Sequence, residues 1–180
     1  MNSVSPEPLR ASARRFQLGF QAASVATLGV AAAMIVALLT QPAWIGGALS
    51  EATGYPLASP KVWQSAAFVM IGLVMLGTYA AVFQTATSVC RMLVQGDPGN
   101  AAGAAQRLSN WLWALLVLSI LANTFGVLVA TAHAGPGQRA VSIAVGSPQI
   151  TLAIAALIAA FLARAFVLGA ALWDDHKKIV

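Results

Sequence analysis

Acidic side chains are scarce in this sequence: five Asp and Glu among 180 residues, against ten Lys and Arg. Charged residues of both signs make up 8% of the chain, whereas a soluble domain carries about 25%. So few charges cannot cover a water-facing surface, which excludes a soluble globular domain. The single cysteine, Cys90, excludes an internal disulfide and any cysteine-built metal site. His133 and His176 fall outside the apolar runs, on opposite sides of any membrane those runs cross, so one copy cannot join them on a metal or haem. Paired carboxylates, a serine–histidine–acid set and a glycine-rich cofactor fingerprint are all lacking. The sequence therefore predicts no enzymatic activity, no cofactor and no metal.

What is present is long apolar runs. The chain is 59% hydrophobic, with a mean hydropathy of +0.78. Four runs, at about 16–40, 62–89, 108–132 and 149–172, contain no Asp or Glu. Each meets the requirement of about 20 residues for crossing a ~30 Å hydrocarbon core as a helix. The expected fold is an all-α, integral membrane four-helix bundle: one domain at 16–180, after a short frayed segment at 1–15. Arg14-Arg15-Phe16 also invites a twin-arginine export reading, but the run behind it is longer than a signal core of about 7–15 residues.

Between the runs, Pro42, Gly46-Gly47, Gly54, Pro56 and Pro60 predict a loop at 41–61 with at most a short helical turn. Gly96-Asp97-Pro98-Gly99-Asn100 is a breaker whose flanks, 91–95 and 101–107, extend the two adjoining helices beyond the membrane. Ala134-Gly135-Pro136-Gly137-Gln138 is a second breaker, and Gly146-Ser147-Pro148-Gln149 opens the last helix.

Basic residues set the orientation. Arg10, Arg14, Arg15, Arg91, Arg107, Lys177 and Lys178 fall on one side, and only Lys61 and Arg139 on the other. Both termini are therefore expected in the cytoplasm, at a bacterial-type inner (plasma) membrane. Trp44 and Trp63 would mark the outer interface, and Trp111, Trp113 and Trp173 the inner one. Because the basic residues sit at helix ends rather than along a stripe, the net charge of +5 does not point to nucleic acid. The expected partners are the lipid bilayer and another membrane protein or a second copy.

Three polar residues inside the runs are candidates for an intramembrane site. If the membrane-embedded part of the last run ends at about Leu168, Arg164 lies roughly 6 Å from the inner boundary at ~1.5 Å per residue, where its side chain either snorkels to the interface or joins a buried contact. Its helical face carries Ala156 and Ala160, small enough for close packing. Asn123, midway along the third run, suits either interhelical packing or a ligand bond. Gln84 with Ser88, and Thr85 one position round, either line a small cavity facing the cytoplasm or return their bonds to the helix backbone. Gly72 and Gly77, and Ala165 with Gly169, would allow close helix contacts. Asp97, Asp174, Asp175 and His176 are candidates for contact with a cytosolic partner.

Three stretches carry a family resemblance: Arg91-Met-Leu-Val-Gln-Gly-Asp-Pro-Gly-Asn, Ala105-Gln-Arg-Leu-Ser-Asn-Trp-Leu-Trp, and Ala165-Phe-Val-Leu-Gly-Ala-Ala-Leu-Trp-Asp-Asp-His-Lys-Lys-Ile-Val. In them the second half of the chain resembles the bacterial four-span membrane family called domain of unknown function 2975. The matching landmarks are Arg107-Leu108, Phe166, Gly169, Leu172, Asp175 and Val180. The chain departs from that pattern in its alanine-rich inner turn and in Lys177-Lys178. The resemblance implies a four-span fold and brings no activity with it. The leading functional expectation is a non-enzymatic accessory, regulatory or assembly subunit acting through intramembrane contacts. The alternative is a small-ligand or ion-handling protein with a cytoplasm-facing cavity around Arg164.

Overall fold

The computed structural model describes residues 7–54, 61–95, 97–132, 143 and 145–178, with side chains described within 12–171 except that of Pro98. These residues form α1 (Glu7–Thr40), α2 (Pro42–Thr53), α3 (Val62–Gln95), α4 (Pro98–Thr131) and α5 (Ser147–Lys178), with no strand among them. All but α2 contain a stretch long and apolar enough to cross a membrane. The chain is thus an all-α membrane protein with the four long helices its apolar runs predict. Both α3 and α4 have 34 residues, about 51 Å at 1.5 Å per residue, so each exceeds a ~30 Å core. The excess includes 91–95 and 101–107, which are helical as expected.

Two expectations need correcting. The segment at 1–15 is not frayed throughout, because α1 already begins at Glu7. The loop expected at 41–61 contains a 12-residue helix, α2. Pro42 starts that helix rather than breaking one: it sits in the first turn, where its missing N–H costs nothing and its fixed φ suits the helix. Gly54 ends it in the left-handed conformation (φ 71°), and its N–H donates to the Ser50 carbonyl. The second breaker and His133 lie outside the described residues.

The starts of α3, α4 and α5 carry side-chain hydrogen bonds. The Lys61 N–H donates to Gln64 Oε1 (3.0 Å) ahead of α3, and the Gly146 N–H donates to Gln149 Oε1 (2.9 Å) ahead of α5. In both, a Gln one turn in reaches back to satisfy a backbone donor. Asp97 caps α4: the Asn100 N–H donates to its Oδ1 at 3.1 Å, and the Asn100 side-chain amide donates to its Oδ2. These bonds, the backbone one foremost, hold the Asp97 carboxyl below its ordinary range. A depressed carboxyl stabilises the fold above its unfolded pKa of about 3.9, and that contribution is lost as pH falls from there through the lower folded value. Asp97→Asn keeps a capping oxygen but removes the titration. Melting temperatures followed below about pH 4 should therefore fall less steeply for this variant than for wild type.

The helices divide into two compact units: Met1–Val25, Ala80–Trp113 and Leu152–Val180 in the first, Ala26–Tyr79 and Ala114–Thr151 in the second. In the first unit, Ala101, Ala102, Ala104 and Ala105 of α4 are buried, as are Ala156, Ala159 and Ala163 of α5. Such small side chains let helix backbones approach closely. Ser109 Oγ takes advantage of that approach and donates to the Ala156 carbonyl at 3.0 Å. The rings of Phe20 (α1) and Phe83 (α3) stack with centroids 6.5 Å apart.

In the second unit α2 buries Ile45, Gly46 and Leu49. Ser65 Oγ of α3 donates to the Pro42 carbonyl (2.9 Å), and Gln64 Nε2 donates to the Val129 carbonyl of α4 (2.9 Å). Gly126 faces the Thr53 methyl, and Gly72 is closely overlain by the Met34 thioether. Gly72 is thus a close contact as expected, whereas Gly77 and Gly169 have open space where a Cβ would stand.

Candidate functional site

The first unit contains two clefts that share a wall. The first, of about 570 Å³, is lined by Gln21, Ser24 and Val25 of α1 and by Gln84, Thr87, Ser88 and Arg91 of α3. The second, of about 310 Å³, is lined by Ala81, Gln84, Thr85, Ser88 and Met92 of α3 and by Ala104, Arg107 and Trp111 of α4. Gln84 and Ser88, one helical turn apart, are the ridge between them. Residue size explains the opening on the α1 side. Bulky rings meet at Phe20–Phe83, while Ser24, one turn on along α1, and Thr87, one turn on along the antiparallel α3 on the other side of the stack, are small and buried. On the α4 side, Ala81 and Ala104 leave comparable room.

The hydrogen-bonding chemistry of this lining is one-sided. Thr85 Oγ1 donates to the Ala81 carbonyl (2.7 Å), Thr87 Oγ1 to Phe83 (2.8 Å) and Ser88 Oγ to Gln84 (3.0 Å). Both sequence readings of this stretch therefore hold together: the residues line a cavity, and their hydroxyls bond back to the helix. A hydroxyl whose hydrogen is committed can still accept but not donate. Donors on the two linings are the amides of Gln21 and Gln84, the guanidinium groups of Arg91 and Arg107, the Ser24 hydroxyl and the Trp111 N–H. Among the described residues, neither cleft is lined by a carboxylate.

Of the three candidates from the sequence, only Gln84 lines the clefts. Arg164 is exposed and lines neither. Its neighbour Ala163 is buried, and a ~100° step round the helix carries the next side chain off the packed face. Ala156, one of the small residues expected on the Arg164 face, is buried, while Ala160 is partly so. Asn123 is half-buried and belongs to the second unit, whereas Gln84 and Arg164 belong to the first. The two clefts described here therefore share Gln84, and Arg164 lines neither. In the sequence their cations, Arg91 and Arg107, mark orientation and the family resemblance rather than a site. Gln21 and Ser24 were not singled out, and only their recurrence on one α1 face (i, i+3) hinted at them.

Asp97 is a helix cap, as described above. The side chains of Asp174, Asp175 and His176, at the end of α5, lie outside those described, as do the family landmarks Leu172, Asp175 and Val180. Among the described residues, no three His, Cys, Asp or Glu side chains gather where a metal would need them. Comparison with protein-family models, curated proteins and solved structures finds no match.

Proposed function

We propose that this chain is a non-enzymatic, multi-pass inner-membrane protein of bacterial type that holds a small polar ligand at the paired clefts, with both termini in the cytoplasm. The observation that carries this reading is the shared Gln84–Ser88 ridge, with an arginine in each adjoining cleft. Polar groups inside a membrane helix are costly and mark functional positions by default. Here they recur on both sides of one helix. The basic residues beside the spans support a cytoplasmic placement of this end, since Arg91 and Arg107 belong to the positively charged side.

The test is native mass spectrometry of the protein gently extracted from its own membrane. The expected result is a reproducible small-molecule adduct on wild type that Gln84→Leu removes. A clean polypeptide mass, with no adduct under the mildest conditions, would overturn the reading.

A second reading, the accessory or assembly subunit, is favoured by a different observation. Gly77, Ala165 and Gly169 are small, and the two glycines have nothing within 4 Å of where a Cβ would stand. Ala165 is exposed as well. Small residues facing outward suit the close approach of another membrane helix. On this reading the same spectra show a heavier protein complex, which Ala165→Leu dissociates while the isolated chain keeps its melting temperature.

A further inference from the structure

We propose that the two clefts are receptors for phosphate groups, one held by Arg91 in the first cleft and one by Arg107 in the second. The proposal rests on the reading that the clefts hold a ligand, and it names that ligand's class.

Charge is the first reason. Among the described residues, each cleft is lined by one guanidinium and by no carboxylate. A cation lining a groove favours an anion there. Donor supply is the second. The first cleft offers the guanidinium of Arg91 and the amides of Gln21 and Gln84, and the second the guanidinium of Arg107, the Gln84 amide and the Trp111 N–H, all of them donors that phosphate oxygens can accept. The planar guanidinium fork matches two phosphate oxygens at once.

The third reason is the apolar shoulder. Val25 borders the first cleft, and Met92 and Trp111 border the second. Trp111 is 42% exposed, and an amphipathic ring of this kind suits headgroup depth at a membrane interface. Basic pockets between membrane helices are also sites where anionic headgroups bind. The shared chemistry is a phosphate mono- or diester. It can come from a phospholipid headgroup or from a soluble phosphate compound.

The experiment counts bound ligands. The full-length chain is placed in phosphatidylcholine nanodiscs containing phosphatidylglycerol, released in the gas phase and weighed. Wild type should retain up to two phosphatidylglycerol molecules. Arg91→Gln and Arg107→Gln should each retain at most one, and the double variant none. Arg15→Gln removes an exposed arginine outside both clefts and should match wild type. Arg91→Lys and Arg107→Lys, which keep the charge, show that a loss is not misfolding if they retain intermediate occupancy at unchanged helicity.

If lipid is absent but inorganic phosphate protects the wild type against heat, with the same dependence on Arg91 and Arg107, the phosphate chemistry stands and its source is soluble. Equal loss of lipid in Arg15→Gln would overturn the proposal in favour of general surface attraction. Retention of a neutral ligand that is indifferent to both arginines would overturn the phosphate assignment and leave the clefts as a ligand site. Clefts that retain nothing would overturn both.

Discussion

Replacing Ala156 by Leu is expected to destabilise the first unit by about 1–3 kcal/mol, toward the upper end of that range. Ala156 is fully buried, and its carbonyl accepts the Ser109 hydroxyl bond from α4 at 3.0 Å. A side chain as short as serine reaches a neighbouring backbone only if the two helices are close. The extra carbons of leucine have no space there except by pushing the helices apart. Doing so breaks the Ser109 bond and also opens voids around Ala159 and Ala163. In a membrane this is a loss of dispersion contacts and of one hydrogen bond rather than of hydrophobic burial, because lipid is as apolar as leucine.

Thermal denaturation in detergent provides the measurement, with two controls. Ser109→Ala removes only the hydrogen bond and should cost about 0.6 kcal/mol, the average for such bonds between membrane helices. Ala165→Leu adds the same carbons at an exposed position of α5 and should leave the melting temperature of the isolated chain unchanged. Equal melting of the Ala156 and Ala165 variants would show that the α4–α5 contact does not exist as described.

The contrast between those two alanines also shows what the sequence could and could not reveal. The four long helices were legible because a membrane demands a run of about 20 apolar residues, a requirement that survives ignorance of every contact. Which face of each helix packs was not legible. Alanine is as compatible with a buried contact as with lipid, so Ala156, Ala163 and Ala165 look alike in one dimension. Arg164 drew attention for its charge, yet its place on the helix, one step beyond buried Ala163, turns it away from the clefts.

The polar stretch from Gln84 to Ser88 was legible as either a cavity wall or a set of back-bonded side chains, because polar residues in a span need a reason. Its cations were hidden in plain sight: Arg91 and Arg107 already had an explanation as orientation signals. Helix α2 was missed for the opposite cause. Pro42 and Gly54 were counted as breakers, although a proline at the start and a glycine just past the end delimit a helix.

Gln64→Leu is expected to cost the second unit about 2 kcal/mol, from two lost hydrogen bonds and the backbone groups left behind. Gln64 is 2% exposed and uses both ends of its amide. Oε1 accepts from the Lys61 N–H at 3.0 Å, which caps α3, and Nε2 donates to the Val129 carbonyl of α4 at 2.9 Å. Leucine fills much of the same volume but offers neither contact. Gln64→Glu separates the two bonds. An ionised carboxylate still accepts from Lys61 but presents a second acceptor to the Val129 carbonyl, and burial disfavours its charge. At neutral pH this variant should therefore melt below Gln64→Leu. The buried site favours the neutral form of the new carboxyl. Once protonated it can donate an O–H to Val129 and restore both contacts. The relative stability of this variant should rise as pH falls and the carboxyl takes up a proton, until it exceeds that of the Leu variant. Melting both variants and wild type from neutral to acid pH should show this crossing. If the Glu variant stays below the Leu variant at every pH, the Val129 contact contributes nothing, and Gln64 serves only as the cap of α3.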